Sequence, residues 1–198
     1  MTEEEIRKEI RRQRHELADW AEGLSPEQWE SRSLCTEWRV RDVIAHVPLA
    51  TEVRWWELFG PAIRARGDLN VIIRDAAREK ARLPYERLVA DMRRAAESRR
   101  LAPTTTVYEA LTDVLVHWQD VTRPLGQTRE TPAEAARAGC ERLWARKRLF
   151  HPRKDLAGYR LVATDTTWTE GEGRLIEAPT ATLLLLLTGR LTPESLIR

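Results

Sequence analysis

Most of the chain alternates apolar and polar positions with the period of an α-helix. Apolar side chains three or four residues apart, with charged residues between them, predict amphipathic helices. Two helix starts are also marked, at Ser25 and Thr131, where a capping residue is followed by proline. The predicted long helices cover residues 3–22, 40–59, 79–100, 107–122 and 131–145.

The pattern changes near the end of the chain. Residues 159–168 alternate as in a β-strand, and a glycine-marked turn leads to a partner strand near Leu175. Residues 181–188 predict a short apolar helix. We therefore predict a mainly α fold, with a four-helix bundle over residues 1–150 and a small α+β appendage over 151–198.

Composition and charge narrow the function classes. The 198 residues carry 33 basic and 31 acidic side chains, and 42% are hydrophobic, as in an ordinary globular domain. The basic run 11–14 is interleaved with acidic residues, which indicates a solvated helix face rather than a nucleic-acid surface. The N-terminus lacks an apolar signal segment, and the longest apolar run, 183–187, is too short to cross a bilayer. We expect a cytoplasmic protein that binds neither nucleic acid nor a membrane.

One predicted helix carries three polar residues among apolar neighbours. Asp113, His117 and Asp120 fall within an arc of about 60° when residues follow at 100° each. The spacing of four lets Asp113 and His117 converge on one metal ion, but it equally suits a buried salt bridge. Asp120 is a candidate for orienting the imidazole of a ligand from behind.

His46 is the second candidate ligand, and it lies among apolar neighbours in another predicted helix. If helices 40–59 and 107–122 face each other across the core, His46 joins Asp113 and His117. Two histidines and one carboxylate leave open coordination positions, which is typical of catalytic rather than structural metal sites.

The remaining reactive side chains are interpreted without a chemical role. His15 and His151 lie in polar stretches that are typical of surface histidines. Cys35 and Cys140 stand far apart, so we interpret them as small buried apolar side chains rather than a disulfide. No phosphate loop, dinucleotide fingerprint or nucleophile elbow competes with the metal site.

Three stretches of the sequence resemble the mycothiol-dependent maleylpyruvate isomerase family, which belongs to the wider DinB-like group of metal-binding helical bundles. The first is WESRSLCTEWRVRDVIAHV, beginning at Trp29, and the second is LTDVLVHWQDVTRPLG, beginning at Leu111. The third lies between Arg160 and Arg190 and includes RLVATDTTW, a GEG turn and LLLLLTGR. The resemblance spans most of the chain.

The resemblance implies a DinB-like bundle in which His46, Asp113 and His117 bind a divalent metal, usually zinc. It also implies that Arg190 lies near the active site, where its planar fork suits a substrate carboxylate. The implied activity is that of an enzyme using a low-molecular-weight thiol, mycothiol. A metal-activated thiolate would add to a small electrophilic substrate, giving isomerisation or S-transfer. Catalytic roles are assigned to Arg190 and Asp120.

Three alternatives stay open at this point. A metal-bound water could act as a hydrolytic nucleophile, or the bundle could be a non-catalytic regulator that binds metal or a small ligand. In a metal-free bundle, Asp113 and His117 would form a structural pair. Both a monomer and a homodimer are compatible with the sequence.

Overall fold

The computed structural model describes residues 1–52, 68–102, 105–145 and 152–197. The predicted fold class, a mainly α DinB-like bundle with a small α+β part, is confirmed. The helices of the described residues are α1 (Glu3–Glu22), α2 (Pro26–Glu30), α3 (Val40–Glu52), α4 (Leu69–Lys80), α5 (Tyr85–Glu97), α6 (Val107–Thr122), α7 (Ala133–Ala145), α8 (Pro152–Asp155) and α9 (Thr180–Leu187). The strands are β1 (Tyr159–Ala163), β2 (Thr169–Gly171) and β3 (Arg174–Ala178).

These residues divide into two compact units. One unit spans Arg7–Arg129, and the other combines Met1–Ile6 with Glu130–Arg198. Helix α7 lies in the second unit together with the strands. We predicted a domain boundary between residues 150 and 151, and this boundary stays a prediction. None of the described helices is long and apolar enough to cross a membrane.

Four long helices build the core of the unit Arg7–Arg129. Helix α3 lies against α4, α5 and α6, and buried residues of α1, α3, α5 and α6 form one apolar cluster. Its members are Leu17, Ala18, Ala21, Trp29, Val40, Val43, Ile44, Ala45, Val47, Ala81, Leu88, Val89, Met92, Val114, Trp118 and Val121. Because α3 and α6 both contribute to this cluster, the polar residues on their inner faces are brought close together.

The helix boundaries follow local signals. Helices α1 and α6 coincide with the predicted ranges. Helix α6 begins where the Glu109 carboxylate accepts a hydrogen bond of 2.8 Å from the backbone N–H of Thr106. Helix α3 matches the prediction as far as Glu52, and its predicted continuation over 53–59 lies outside the described residues.

The segment between α3 and α6 differs from the prediction. We expected a polar connection followed by one helix over 79–100, but two helices, α4 and α5, occupy this region. Asp68 caps α4, because its carboxylate accepts hydrogen bonds from the N–H groups of Asn70 and Val71. Pro84 separates the helices, since proline lacks an N–H and disfavours helical geometry in the residue before it.

The second unit contains a three-stranded sheet of order β2-β1-β3. Strand β1 is antiparallel to β2 and parallel to β3, with Leu161 opposite Ile176. The predicted strand over 159–168 is too long, because β1 ends at Ala163 and residues 164–167 form bends, and β2 follows at Thr169–Gly171, beyond the predicted range. A Cβ at Gly173 (φ 118°) would lie 2.1 Å from the carbonyl oxygen of Gly158, so this turn requires glycine.

Candidate metal centre

His46 on α3 converges with Asp113 and His117 on α6. Oδ1 of Asp113 lies 3.2 Å from Nε2 of His46 and 3.3 Å from Nε2 of His117. One donor atom from each of the three residues lies within 4.8 Å of the other two. The structure therefore brings together the three residues predicted as ligands, and their role as ligands stays a prediction.

Aromatic rings surround this group of donors. The rings of His46 and His117 meet edge to face, with centroids 5.0 Å apart. The indole ring of Trp38 lies 4.9 Å from the ring of His46 and 5.9 Å from that of His117. The side chain of His117 is 8% exposed, whereas that of Asp113 is 26% exposed. Rings thus enclose the donors on one side, and Asp113 has the most exposed side chain of the three residues, although its Oδ2 is buried.

Asp120 holds the imidazole of His117 from the opposite edge. Its side chain is completely buried, and Oδ2 lies 2.9 Å from Nδ1 of His117. Nδ1 donates its proton to this carboxylate, and Nε2 faces Oδ1 of Asp113, to which it donates a second proton when the imidazole is charged. The arrangement matches the predicted orienting role of Asp120, which itself remains a proposal.

Cys35 completes the surroundings of Asp120. Its thiol donates a hydrogen bond of 3.1 Å to Oδ2 of Asp120, and its sulfur lies 4.0 Å from Nδ1 of His117. The backbone N–H of Leu34 also donates to the backbone oxygen of Asp120. Cys35 is partly buried and packs against the apolar cluster, and Cys140 is fully buried. The hydrogen bond from the Cys35 thiol to Asp120 is a polar contact that our interpretation did not include.

Opposite charges dominate the electrostatics of the centre. Burial alone would raise the pKa of Asp113, but the charges of His117 and His46 hold it well below its usual range. Burial alone would lower the pKa of His117, but the carboxylate of Asp113 raises it well above 6.5. In the metal-free protein, Asp113 and His117 therefore form an ion pair, and a metal ion would have to displace the proton of His117.

Two buried polar atoms of the centre lack a hydrogen-bond partner among the described residues. They are Oδ2 of Asp113 and Nδ1 of His46. Buried polar atoms without a partner are costly and therefore rare. A second carboxylate oxygen together with two imidazoles is a donor set that suits zinc and neighbouring divalent metals. The residues present fit a divalent metal ion.

The other candidate residues are not among the three converging side chains. Arg190 belongs to the second unit, where its Nη1 donates to the carbonyl oxygen of Thr188, and its predicted catalytic role remains a prediction. His15 is 37% exposed and contacts Glu97, as predicted for a surface histidine. His151 lies outside the described residues.

Two residues of the centre were not recognised from the sequence, Cys35 and Trp38. Both lie in the stretch that begins at Trp29, a few residues before His46. Their contacts join positions up to 85 residues apart, as between Cys35 and Asp120. The signal that could have found them is their place within that stretch, because helical periodicity carries no information about such contacts.

Residues 10–131 match the family model described as "Mycothiol maleylpyruvate isomerase N-terminal domain". The matched segment contains His46, Asp113, His117 and Asp120 and ends before Arg190. None of the curated proteins matches the chain.

The chain also resembles two solved structures. One is a crystal structure of the mycothiol-dependent maleylpyruvate isomerase, with a TM-score of 0.59 and 16% identity over 98% of this chain and 91% of that chain. The other is a histidine-to-alanine mutant of the same enzyme, with a TM-score of 0.59 and 15% identity over 96% of this chain and 90% of that chain. At these identities the likeness shows the fold.

Proposed function

The chain belongs to the mycothiol maleylpyruvate isomerase N-terminal domain family, and on this premise we propose that it is a metal-dependent enzyme that uses mycothiol in the cytoplasm. The thiol adds to a small electrophilic substrate, and its later release gives isomerisation whereas its retention gives S-transfer. The observation that carries the proposal is the convergence of one donor atom each from His46, Asp113 and His117 within 4.8 Å.

The three converging residues would hold the metal. A divalent ion bound there would lower the pKa of a coordinated thiol, so that the thiolate is available at neutral pH. Asp113 contributes the negative charge of the ligand set, and its buried Oδ2, which has no hydrogen-bond partner among the described residues, is a further donor for the metal. The two histidines contribute neutral nitrogen donors and leave at least one position for the thiol.

Further residues of this chain position the ligands. Asp120 accepts the Nδ1 proton of His117 and thereby keeps the ring in one tautomer and one orientation. Cys35 donates to the same carboxylate and limits its rotation. Trp38 covers both imidazole rings and excludes water from that side of the centre. Arg190, from the C-terminal part of the chain, is proposed to bind a substrate carboxylate.

Metal content is the first test of this function. Inductively coupled plasma mass spectrometry is applied to the purified full-length protein, to His117→Ala and to the matched control His15→Ala, which removes an exposed histidine. We expect about one divalent ion per chain in the wild type and the control, and its loss in His117→Ala. A wild-type protein that binds no zinc, nickel or manganese would refute the metal centre and leave the metal-free bundle.

A second assay separates the reactions. The metal-loaded protein is mixed with mycothiol and a panel of α,β-unsaturated acids. The concentration of free thiol is measured with a chromogenic disulfide reagent. Isomerised substrate with constant thiol indicates an isomerase, and loss of thiol into an adduct indicates an S-transferase. Ester or amide cleavage that needs no thiol would instead support the hydrolase. Tight ligand binding without turnover would support the non-catalytic regulator.

A further inference from the structure

A second group of donor atoms meets at the other ring nitrogen of His117. Sγ of Cys35 lies 3.1 Å from Oδ2 of Asp120 and 4.0 Å from Nδ1 of His117. Oδ2 of Asp120 is 2.9 Å from the same Nδ1. The three donor atoms lie within 4.8 Å of one another, as do those of the candidate metal centre. We call Cys35, Asp120 and Nδ1 of His117 the rear cluster.

The separations within the rear cluster suit a single metal ion. Zinc–sulfur and zinc–nitrogen bonds of about 2.3 and 2.1 Å allow donor atoms up to about 4.4 Å apart to contact one ion. All three separations are shorter than this. The thiol and Nδ1 both donate to Oδ2 of Asp120, so an ion that replaces these two protons finds its three ligands already assembled.

The donor types of the rear cluster differ from those of the candidate metal centre. A thiolate is a soft ligand, which selects soft metal ions over magnesium and manganese. The thiolate of Cys35 and the carboxylate of Asp120 carry two negative charges, which equal the charge of a divalent ion. Asp120 is fully buried, and a balanced set of charges is far less costly there than an unbalanced one. The rear cluster therefore suits a soft divalent cation, of which cadmium is the clearest example.

The rear cluster and the candidate metal centre share the imidazole of His117. A neutral imidazole carries one proton, so one of its nitrogens binds a metal while the other stays a donor. An ion in the rear cluster leaves the proton on Nε2, which faces Oδ1 of Asp113 at 3.3 Å. An ion between His46 and Asp113 leaves the proton on Nδ1, which faces Asp120. Occupation of one site therefore excludes occupation of the other.

We propose that Cys35, Asp120 and Nδ1 of His117 form a second metal site, which takes a soft divalent cation in place of an ion held by His46 and Asp113. This site goes beyond the proposed function, because it needs neither of these last two residues. Binding breaks the S–H bond of Cys35 and the Nδ1–H bond of His117. Both protons pass to the buffer, three metal–ligand bonds form, and no oxidation state changes. A soft cation at this site displaces the ion of the candidate metal centre.

The test is a cadmium titration of the metal-free full-length protein, followed through the ultraviolet charge-transfer band of a cadmium–thiolate bond. The wild type should show this band and bind about one cadmium ion per chain. Cys35→Ala should abolish the band, and the matched control Cys140→Ala, at the other free cysteine, should leave it unchanged. His46→Ala lacks a ligand of the candidate metal centre and should keep the band. Adding Cys35→Ala to His46→Ala should weaken cadmium binding more than about 100-fold, because a lost ligand costs more than a lost group that orients one.

The same titration on the zinc-loaded wild type tests the sharing of His117. Zinc should be released as the band grows, and the total metal content should stay near one ion per chain. Zinc that stays bound while the band appears, giving two ions per chain, overturns the exclusion of one site by the other.

The absence of the band in both the wild type and His46→Ala overturns the second site, whatever the zinc content. A band that persists in Cys35→Ala overturns it as well. A wild type that shows the band but binds no zinc supports the second site and refutes the metal centre of the proposed function. Should Cys35→Ala fail to fold, Cys35→Ser keeps a donor to Asp120 and should also lose the band. In the wild type itself, a cadmium NMR shift outside the range of thiolate ligation overturns the inference.

Discussion

Replacing Asp120 tests whether its hydrogen bond to His117 supports metal binding. Oδ2 of Asp120 lies 2.9 Å from Nδ1 of His117, and the aspartate side chain is fully buried. Asparagine keeps the shape and can accept the same hydrogen bond as a neutral group. A hydrogen bond to a charged group contributes about 1.5–3 kcal/mol, and one between neutral groups about 0.5–1.5 kcal/mol. Asp120→Asn should therefore weaken the orientation of His117 by about 1–1.5 kcal/mol.

This difference corresponds to about a tenfold lower zinc affinity. Asp120→Ala removes the acceptor for both His117 and Cys35, and we expect about a 100-fold loss, the upper end for groups that orient metal ligands. Zinc affinity is measured by competition with a chromophoric chelator at constant pH, because metal binding releases protons. Asp75→Asn on α4 is the control, since its side chain is 60% exposed.

Equal zinc affinity in the wild type and both Asp120 variants would refute the reasoning. Melting temperatures of the metal-free variants are recorded alongside. They distinguish the loss of an oriented imidazole from a general loss of the fold. A variant that melts as the wild type but binds zinc more weakly isolates the effect of the hydrogen bond.

Three further predictions concern stability and reactivity. Leu88→Ala leaves a cavity at a fully buried position and should cost about 2–5 kcal/mol in urea unfolding; a cost under about 1 kcal/mol would contradict the packing. Burial raises the pKa of the Cys140 thiol, so iodoacetamide at pH 8 should alkylate it only after unfolding, and mass spectrometry showing rapid labelling of the folded protein would contradict this. In the metal-free protein, the raised pKa of His117 gives a stabilising contribution that is fully present below pH 6.5 and is lost as the pH rises through the pKa in the folded state. The lowered pKa of Asp113 gives a contribution that is fully present above pH 3.8 and is lost as the pH falls through its pKa in the folded state. The melting temperature should therefore be highest between pH 3.8 and pH 6.5 and decline at lower and at higher pH. The same pH profile in Asp113→Asn would refute the ion pair of Asp113 and His117.

The parts of the fold and site that could be predicted depend on local spacing. Asp113, His117 and Asp120 share one helix face because of their positions in a single helix, and the structure confirms that face. His46 required the additional assumption that α3 and α6 meet across the core, which the shared apolar cluster bears out. The break between α4 and α5 at Pro84 could have been predicted, since proline rarely continues a helix. We predicted one helix instead, because the apolar pattern is helical on both sides of Pro84.

The parts that could not be predicted depend on tertiary contacts. Arg14 is 1% exposed, so our interpretation of the basic run 11–14 as a solvated helix face was wrong for this residue. Arg14 and the exposed Arg11 and Arg12 are the same residue type in one helix, and only the packing of α1 near Ala95 distinguishes them. Cys35 reaches Asp120 from a loop before α3, and no periodicity reports such a contact. Hydrophobic patterning indicates which face of a helix is buried, but it does not indicate which polar group of another element contacts that face.

Asp113, His117 and Asp120 all lie on α6, and both carboxylates contact the imidazole of His117. These two contacts therefore depend on the number of residues between the three positions in one helix. Insertion or deletion of one residue between Asp113 and Asp120 would rotate one carboxylate by about 100° away from the ring. Residues 114–120 are all buried, so substitutions there change the packing but leave the register intact. Natural variants of this chain should therefore differ here by replacement and keep the length of the segment constant, whereas insertions can accumulate in the loops that flank the helix.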